Sequence, residues 1–400
     1  MKIAITGASG FIGKLIYPKL IEANYDVVLV GRDQDKLATL FPGSVYYDYN
    51  ALQQAFRGAQ LVIHLAATNS DSKLPAIEFG RVNVDLMVSV AKAARGAKVN
   101  RFINISSFHA INETNNSNYA NSKREGVKAL NAIKWPAVEH VYLPIVYGEA
   151  WAGKLSLLNL LPLKLGQILF APLAALKPTL NINYLVMHIL SPPEFQMEVK
   201  EILLYDDKAN NAYYSFIKRM LDISFVVIVV VFLSWLMLLV WISIRVTSKG
   251  PGIFVQKRVG KNRKVFKCYK FRTMEVGTRN VGTHDVAISS VTPLGAFLRK
   301  TKIDELPQII NIVRNELSLV GPRPCLPNQL ELISKREARN VHSVKPGITG
   351  LSQIKNIDMS TPDKLSYWDA RYIAIRGLLF DFKIIIATAA GNGQGDKIKS

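Results

Sequence analysis

Cysteine is almost missing from this chain: Cys268 and Cys325 are the only two among 400 residues. They show neither paired spacing nor a neighbouring histidine group, so no zinc site and no disulfide framework is expected, and a reducing compartment is the default. Histidine is scarce too. His64, His109, His140 and His188 are scattered and are read as satisfied or solvated side chains without chemistry. Residues 1–20 lack a charged start, an apolar core and a small-residue cleavage site, so no signal peptide is expected. Acidic residues are also few, 30 against 50 Lys+Arg, for a net charge of +20. That deficit is uneven. Residues 1–210 hold 21 Lys+Arg and 17 Asp+Glu, a balance of +4, whereas residues 211–400 hold 29 and 13, a balance of +16. The second half therefore suits nucleic acid, anionic lipid or a phosphorylated substrate, because all three present clustered negative charge. An apolar content of 49% over this length fills two or more cores and leaves a surplus for a membrane segment.

The first half reads as a doubly wound parallel sheet. Lys2 to Ile5 is a short apolar strand that enters Thr6-Gly7-Ala8-Ser9-Gly10-Phe11-Ile12-Gly13 and then a helical pattern. Gly7, Gly10 and Gly13 let the backbone approach a pyrophosphate at the start of that helix. Further strands at Val27 to Val30, Leu61 to Leu65 and Arg101 to Ile105 alternate with helical segments. Arg32, just past the second strand, suits the 2′-phosphate of NADP, whereas Asp33 suits the ribose of NAD; the balance leans to NADP. Tyr119-Ala-Asn-Ser-Lys123 places a phenol and an ammonium four apart on one helix face, after Ser106-Ser107 at the carboxyl edge of a strand. With HLAA at His64 to Ala67 and Asn83 also in order, the first 150 residues or so resemble the extended short-chain dehydrogenase/reductase family. The resemblance implies a Rossmann domain over 1–210 that binds NADP or NAD, with Asn83 beside the cofactor. It also implies that Tyr119 exchanges a proton at a sugar carbonyl or hydroxyl, its pKa lowered by Lys123, while Ser107 holds the same oxygen. Only about 60 residues follow Val146-Tyr147-Gly148 before the next element, a short substrate lobe for that family.

Residues 211–248 read as a membrane anchor. Ile223 to Ile244 is 22 residues without a charge, long enough to cross a bilayer as a helix. Lys218 and Arg219 precede it and Arg245 and Lys249 follow, and basic flanks on both sides argue for keeping both ends cytoplasmic. A re-entrant helix satisfies this, with Ser234-Trp235 as its expected break, since a serine hydroxyl can bend a helix. Trp235 replaces the proline common in related re-entrant anchors. A second apolar stretch, Leu155 to Leu176, is interrupted by Pro162, Lys164 and Pro172 and is unsuited to spanning. It reads as the core of a reduced lobe, with packing against lipid or the second domain as the sharper alternative.

Between Lys257 and Arg272 stand eight basic residues and no acidic one, interleaved with Phe266, Tyr269 and Phe271. Such a surface could bind nucleic acid, but the adjacent membrane run favours anionic lipid, polyprenol phosphate and sugar diphosphate. Farther on, Asp304-Glu305 open an amphipathic stretch in which Pro307 is tolerable only within a first helical turn, and a helix N-terminus favours an ionised carboxylate. Lys218-Arg219, Asp222, Gly250-Pro251, Gln256-x-Arg258, Lys270-Phe-Arg272-Thr-Met, Arg299-Lys300, Asp304-Glu-Leu-Pro-Gln308, Gly321-Pro-Arg323-Pro and Pro346-Gly-Ile-Thr-Gly350 together resemble the bacterial sugar transferases, monotopic phosphoglycosyl transferases that act on polyprenol phosphate.

This second resemblance implies a mainly helical catalytic domain over 249–400. It implies that Asp304 attacks the sugar-bearing phosphate of a UDP-sugar, releases UMP and passes the phosphosugar to undecaprenyl phosphate. Mg2+ with Glu305 as protein ligand is implied, as is phosphate neutralisation by Arg258, Lys270, Arg272, Arg299 and Arg323. The whole reads as an α/β fusion enzyme at the cytoplasmic face of a bacterial inner membrane, without a nucleic-acid partner. Its first domain reduces a UDP-4-keto-6-deoxy sugar, with 4-epimerisation or a non-catalytic nucleotide-binding role as alternatives. Oligomeric state is open, a homodimer among the options.

Overall fold

The computed structural model describes residues 1–70, 72–192, 200–278 and 290–393. Two compact units emerge, one of Met1–Phe170 with Pro178–Asp206 and one of Ala171–Lys177 with Asp207–Ser400.

Seven parallel strands build the first unit, in the order Val45–Tyr47, Asp26–Val30, Lys2–Thr6, Leu61–His64, Arg101–Ser107, Val138–Leu143, Lys200–Leu203. Successive side chains of a strand point to opposite faces. Ile3, Ile5, Leu29, Ile63 and Ile103 therefore meet Ile16 and Leu20 of the helix Phe11–Glu22 on one side. Ala4, Val28, Val62 and Phe102 meet Val90, Ala91 and Ala94 of the helix Met87–Gly96 on the other. Burial on both faces explains why the strands read as unbroken apolar runs. The order reverses direction between Lys2–Thr6 and Leu61–His64, which is the switch point where such sheets bind ligands at their carboxyl edge.

The second unit is mainly helical around two small sheets. Ile253–Val259 and Val265–Phe271 form an antiparallel hairpin, and Ser318–Val320 pairs in parallel with Gly347–Thr349. Its longest element is the helix Ala212–Thr247, 36 residues. The break expected at Ser234-Trp235 is absent, because nothing there interrupts the hydrogen-bond ladder. Instead of disrupting the ladder, the Trp235 indole donates to the Phe232 carbonyl at 2.8 Å. One stripe of this helix is buried within the unit along much of its length. Val226 and Val229 pack with Phe266, Cys268, Ile309 and Ile312, while Val240 and Ile244 pack with Phe271 and Leu298. The spacing of Asp222, Val226, Val229, Leu233, Met237, Val240 and Ile244 keeps one face aligned. Burial of each large apolar side chain contributes about 1.5–3 kcal/mol. The remaining face, including Val231, Phe232 and Trp235, is exposed.

Candidate functional site

The helix Pro293–Thr301 ends at Lys302, whose φ of 59° re-aims the chain into the 3-10 turn Ile303–Gln308. Asp304 and Glu305 lie in the first turn of that segment. Pro307 is accommodated there and the helix Ile309–Val313 follows directly. Asn311, fully buried, ties this helix to the hairpin: its amide donates to the Lys267 carbonyl at 2.7 Å and accepts from the Tyr269 N–H at 3.2 Å. That register brings Lys270 to Glu305, with Nζ 2.6 Å from Oε1. The turn after Ser318–Val320 brings Arg323 to the same oxygen at 3.3 Å. Here the two glycine motifs meet, since the Gly347 N–H donates to the Pro322 carbonyl and the Gly321 N–H to the Thr349 carbonyl. A Cβ on Gly347 would fall 2.1 Å from the Gly321 nitrogen, so a larger residue cannot stand there.

These groups line a cavity of about 600 Å³ within the second unit, together with Arg258, Arg272 and Arg299 and the apolar Phe225, Leu306 and Ile348. Glu305 holds the cations, whereas Asp304 has no hydrogen-bond partner among the described residues and is 9% exposed. Burial pushes the Asp304 carboxyl up to about 6, helped by the negative charge of Glu305 and opposed by Lys270, Arg299 and Arg323. The helix-terminus argument predicted the opposite direction; desolvation outweighs it. Of the five predicted phosphate ligands, Lys270 and Arg323 meet Glu305, while Arg258 and Arg272 are bonded to other groups. Arg258 donates to the Gln256 side chain at 3.0 and 2.6 Å and to the Pro324 carbonyl at 2.9 Å, which joins the hairpin to the Arg323 turn. Arg272 donates to Ser248, at 3.0 Å to its carbonyl and 2.6 Å to its hydroxyl.

Among the described residues no group of three or more His, Cys, Asp or Glu could hold a metal ion. Two adjacent carboxylates beside a cavity suit a magnesium ion whose remaining ligands are phosphate and water oxygens. The site therefore fits that ion only with a phosphorylated substrate present.

In the first unit, Gly7 has a φ of +74° and a Cβ there would fall 2.6 Å from Ala66 backbone atoms. Gly10 caps the helix Phe11–Glu22, and its close neighbour Gly13 abuts Ala8, so the turn leaves helix N–H groups facing a prospective pyrophosphate. This geometry fits a dinucleotide. Arg32 is exposed at the end of its strand, and the Asp33 side chain caps the next helix by accepting from the Lys36 N–H at 2.9 Å. Asn83 is buried: it accepts from the Thr68 N–H at 3.0 Å and donates to Ser122 at 2.9 Å. Ser107, at the carboxyl end of its strand, lies close enough to Tyr119 to act on its phenol. The phenol is not acidified. Burial raises Tyr119, Ser107 opposes this, and Lys123 is directed toward the Ile105 carbonyl at 3.5 Å with its own pKa lowered to about 8 by burial. Burial also lowers His64 to about 3 and His140 to about 4, and both make hydrogen bonds, so they are neutral structural groups.

Sequence reasoning missed Asn311, Lys302 and Asp381, which hold this machinery in place, and it gave Asp222 only as a motif position without a role. Asp222 accepts from the Ser318 hydroxyl and the Leu319 N–H at 2.9 and 2.8 Å, and Asp381 pairs with Lys218 at 2.7 Å. Single acids inside apolar stretches were the available signal, because a buried charge requires partners.

A family profile for bacterial sugar transferases matches residues 213–392, and one for the NAD dependent epimerase/dehydratase family matches residues 3–134. Among curated proteins, an uncharacterized sugar transferase EpsL from Bacillus subtilis is 36% identical over 172 residues, covering 43% of this chain and 85% of that protein. The undecaprenyl-phosphate galactose phosphotransferase of Salmonella typhimurium is 32% identical over 208 residues, covering 47% of this chain and 43% of that protein. The galactosyl transferase CpsE of Streptococcus agalactiae is 34% identical, with 44% of its length covered. The chain thus spans less than half the length of those two relatives. A solved UDP-glucuronic acid 4-epimerase from Bacillus cereus, in complex with NAD, is similar at 19% identity and a TM-score of 0.40, over 50% of this chain and 78% of that one. That likeness is too remote to bear on activity.

Proposed function

Because this chain belongs to the bacterial sugar transferase family through residues 213–392, we propose that its second unit transfers a phosphosugar from a UDP-sugar to undecaprenyl phosphate at the cytoplasmic face of a bacterial inner membrane. The carrying observation is the division of labour between two neighbouring acids. Glu305 is held by Lys270 and Arg323, while Asp304 is buried at the cavity without a hydrogen-bond partner among the described residues. A carboxylate whose pKa is pushed up to about 6 is mostly ionised at neutral pH, yet poorly solvated and therefore reactive. Asp304 attacks the sugar-bearing phosphorus, the bond from that phosphorus to UMP breaks, and UMP leaves with the electron pair. An oxygen of undecaprenyl phosphate then attacks the same phosphorus and frees the Asp304 carboxylate. Lys270, Arg299 and Arg323 offset the phosphate charge during both steps. Magnesium, when bound, screens the diphosphate, with Glu305 as its protein ligand. The exposed apolar face of the helix Ala212–Thr247 lies in lipid and both helix ends face the cytoplasm.

The first unit, of the epimerase/dehydratase type, reduces a UDP-4-keto-6-deoxy sugar. The nicotinamide supplies the hydride, NADP being favoured by exposed Arg32 and by the commitment of Asp33 to a helix cap. Tyr119, aligned by Ser107, delivers its proton to the carbonyl oxygen. A set of UDP-sugars assayed for UMP release with and without NADPH tests both halves. Release that survives Asp304→Asn removes Asp304 as nucleophile.

A further inference from the structure

The short lobe of the first domain contains an apolar surface for which neither chemistry has a use. Within the helix Leu163–Leu176 only a narrow stripe is buried. A Cβ on Gly166 would touch the Trp151 ring at 2.8 Å, and the Phe170 ring lies 4.7 Å from Tyr147 and 5.8 Å from Trp151. Ala175 completes the stripe against Tyr214 and Leu378. The other side of the helix is apolar as well. Leu163, Leu165, Ile168, Leu169 and Leu173 are each more than 40% exposed, and Leu157 and Leu160 just upstream reach 72% and 82%. Seven large apolar side chains facing water within 17 residues amount to a patch that ordinary surfaces avoid.

Two observations say what covers it. Residues 153–177 contain Lys154, Lys164 and Lys177 and no acidic residue, so every charge the segment itself carries is cationic. The final turns of the helix are also fixed to the start of the long apolar helix. Lys208 donates to the Ala174 and Lys177 carbonyls at 2.5 and 2.7 Å. Asn211, which caps the long helix through the Tyr214 N–H at 2.9 Å, donates to the Ala171 carbonyl at 2.8 Å. Tyr213, Phe216 and Met220 at the start of the long helix are exposed as well.

We propose that Leu157 to Leu173 is a second membrane element, lying in the interface of an anionic bilayer with its leucines among the acyl chains and its lysines at the headgroups. The residues of a catalytic lobe thereby serve to hold the nucleotide-binding domain at the lipid surface. The geometry is that of an interfacial helix, in which apolar burial and attraction to anionic headgroups act together. This proposal rests on the reading that the long helix is itself in lipid.

The test uses the full chain in vesicles of phosphatidylcholine and phosphatidylglycerol. Both native cysteines are buried, so an environment-sensitive thiol probe reports an introduced cysteine. Leu169→Cys, with Ile168→Cys as its duplicate, is compared with Phe232→Cys on the long helix and Asp35→Cys on the first unit. The probe at 169 should be quenched by spin-labelled lipid as strongly as that at 232, about two-fold or more above that at 35, and shielded from iodide. Lipid quenching at 232 with iodide quenching at 169 overturns the proposal and leaves the long helix in the membrane. Shielding of 169 from both quenchers overturns it in favour of a protein partner or a second copy. Absence of lipid quenching at 232 removes the membrane reading and this inference with it.

Discussion

Asp304→Asn should abolish the covalent step and, at the same time, make the protein more stable. The carboxyl is buried beside Glu305 and its pKa is pushed from an ordinary 3.8 to about 6. Raised by about two units, at about 1.4 kcal/mol each, the group opposes folding by roughly 3 kcal/mol once ionised. The sign follows from proton binding. The native state binds the proton more tightly than the unfolded chain does, so stability is full below the unfolded pKa and is lost as pH rises through the folded value near 6. Asparagine is neutral throughout and does not carry this cost. For a unit of this size each kcal/mol moves the midpoint by about 2–4 °C, so a gain of up to roughly 10 °C is expected near neutral pH. Thermal unfolding of the full chain, wild type and variant, in one detergent at pH of about 7.5 and about 4.5 measures it. The gap should be wide at the higher pH and shrink to about a third at the lower. Tyr119→Phe, in the other unit, should leave that transition in place. Equal midpoints at the higher pH, or a gap that ignores pH, would refute the claim that burial strains this carboxylate.

The same ionisation governs turnover: kcat/KM for UMP release should fall about tenfold from pH 7 to pH 5, and Lys270→Met should move the midpoint upward by removing a cation beside Asp304. A flat profile across that range excludes Asp304 as the group that must be ionised. Tyr119→Phe should reduce NADPH oxidation with a UDP-4-keto sugar by about 100-fold or more and leave UMP release unchanged, whereas a wild type that oxidises no NADPH makes the first unit a nucleotide-binding module only. Ser215→Cys and Lys249→Cys, at exposed positions on either side of the apolar run, should both react with an impermeant maleimide in inverted membrane vesicles. Modification of only one means that the helix crosses.

Motif residues were legible where chemistry requires a residue type at a fixed place. The glycine turn after the first strand, the Ser107–Tyr119 pair and the Asp304–Glu305 pair all stand where sequence reading put them, because each depends on local backbone geometry or on an adjacent partner. Less legible was how a side chain divides itself between a ligand and the protein. Asn83, Arg258 and Arg272 read as ligand contacts in sequence, and in the structure Asn83 bonds Thr68 and Ser122, Arg258 bonds Gln256 and Pro324, and Arg272 bonds Ser248 while its Nε and Nη1 have no hydrogen-bond partner among the described residues. Which partner comes within reach of a buried amide or guanidinium is decided by tertiary packing. The pKa directions of Asp304 and Tyr119 were misread for a related reason: helix ends and neighbouring charges are visible in sequence, whereas desolvation is not.

The long helix shows how packing can replace a missing residue. Its placement in the sequence argument rested on basic flanks and on a bend that lacked its proline. The flanking charges are largely used inside the protein: Lys218 pairs with Asp381 and donates to the Val320 carbonyl at 3.0 Å, and Arg219 donates to the Ile312 and Val313 carbonyls at 2.8 and 3.2 Å. They therefore say less about topology than their positions suggest. A stronger constraint comes from the buried stripe, which contacts the same unit from Asp222 near one end to Ile244 near the other. A helix that crossed the bilayer would have to carry that packed surface, with the hairpin and Asp304 behind it, into the hydrocarbon. Buried polar groups oppose this, since Lys270, Glu305 and Arg323 would lose access to water and soluble nucleotide. On the proposed membrane reading, a helix lying along the interface with Val231, Phe232 and Trp235 outward would present a mainly apolar surface to lipid and keep the cavity at the boundary. That placement would keep both ends on one side without any break at Trp235, and the Asp222 and Lys218 contacts connect the helix directly to the strand that leads into Arg323.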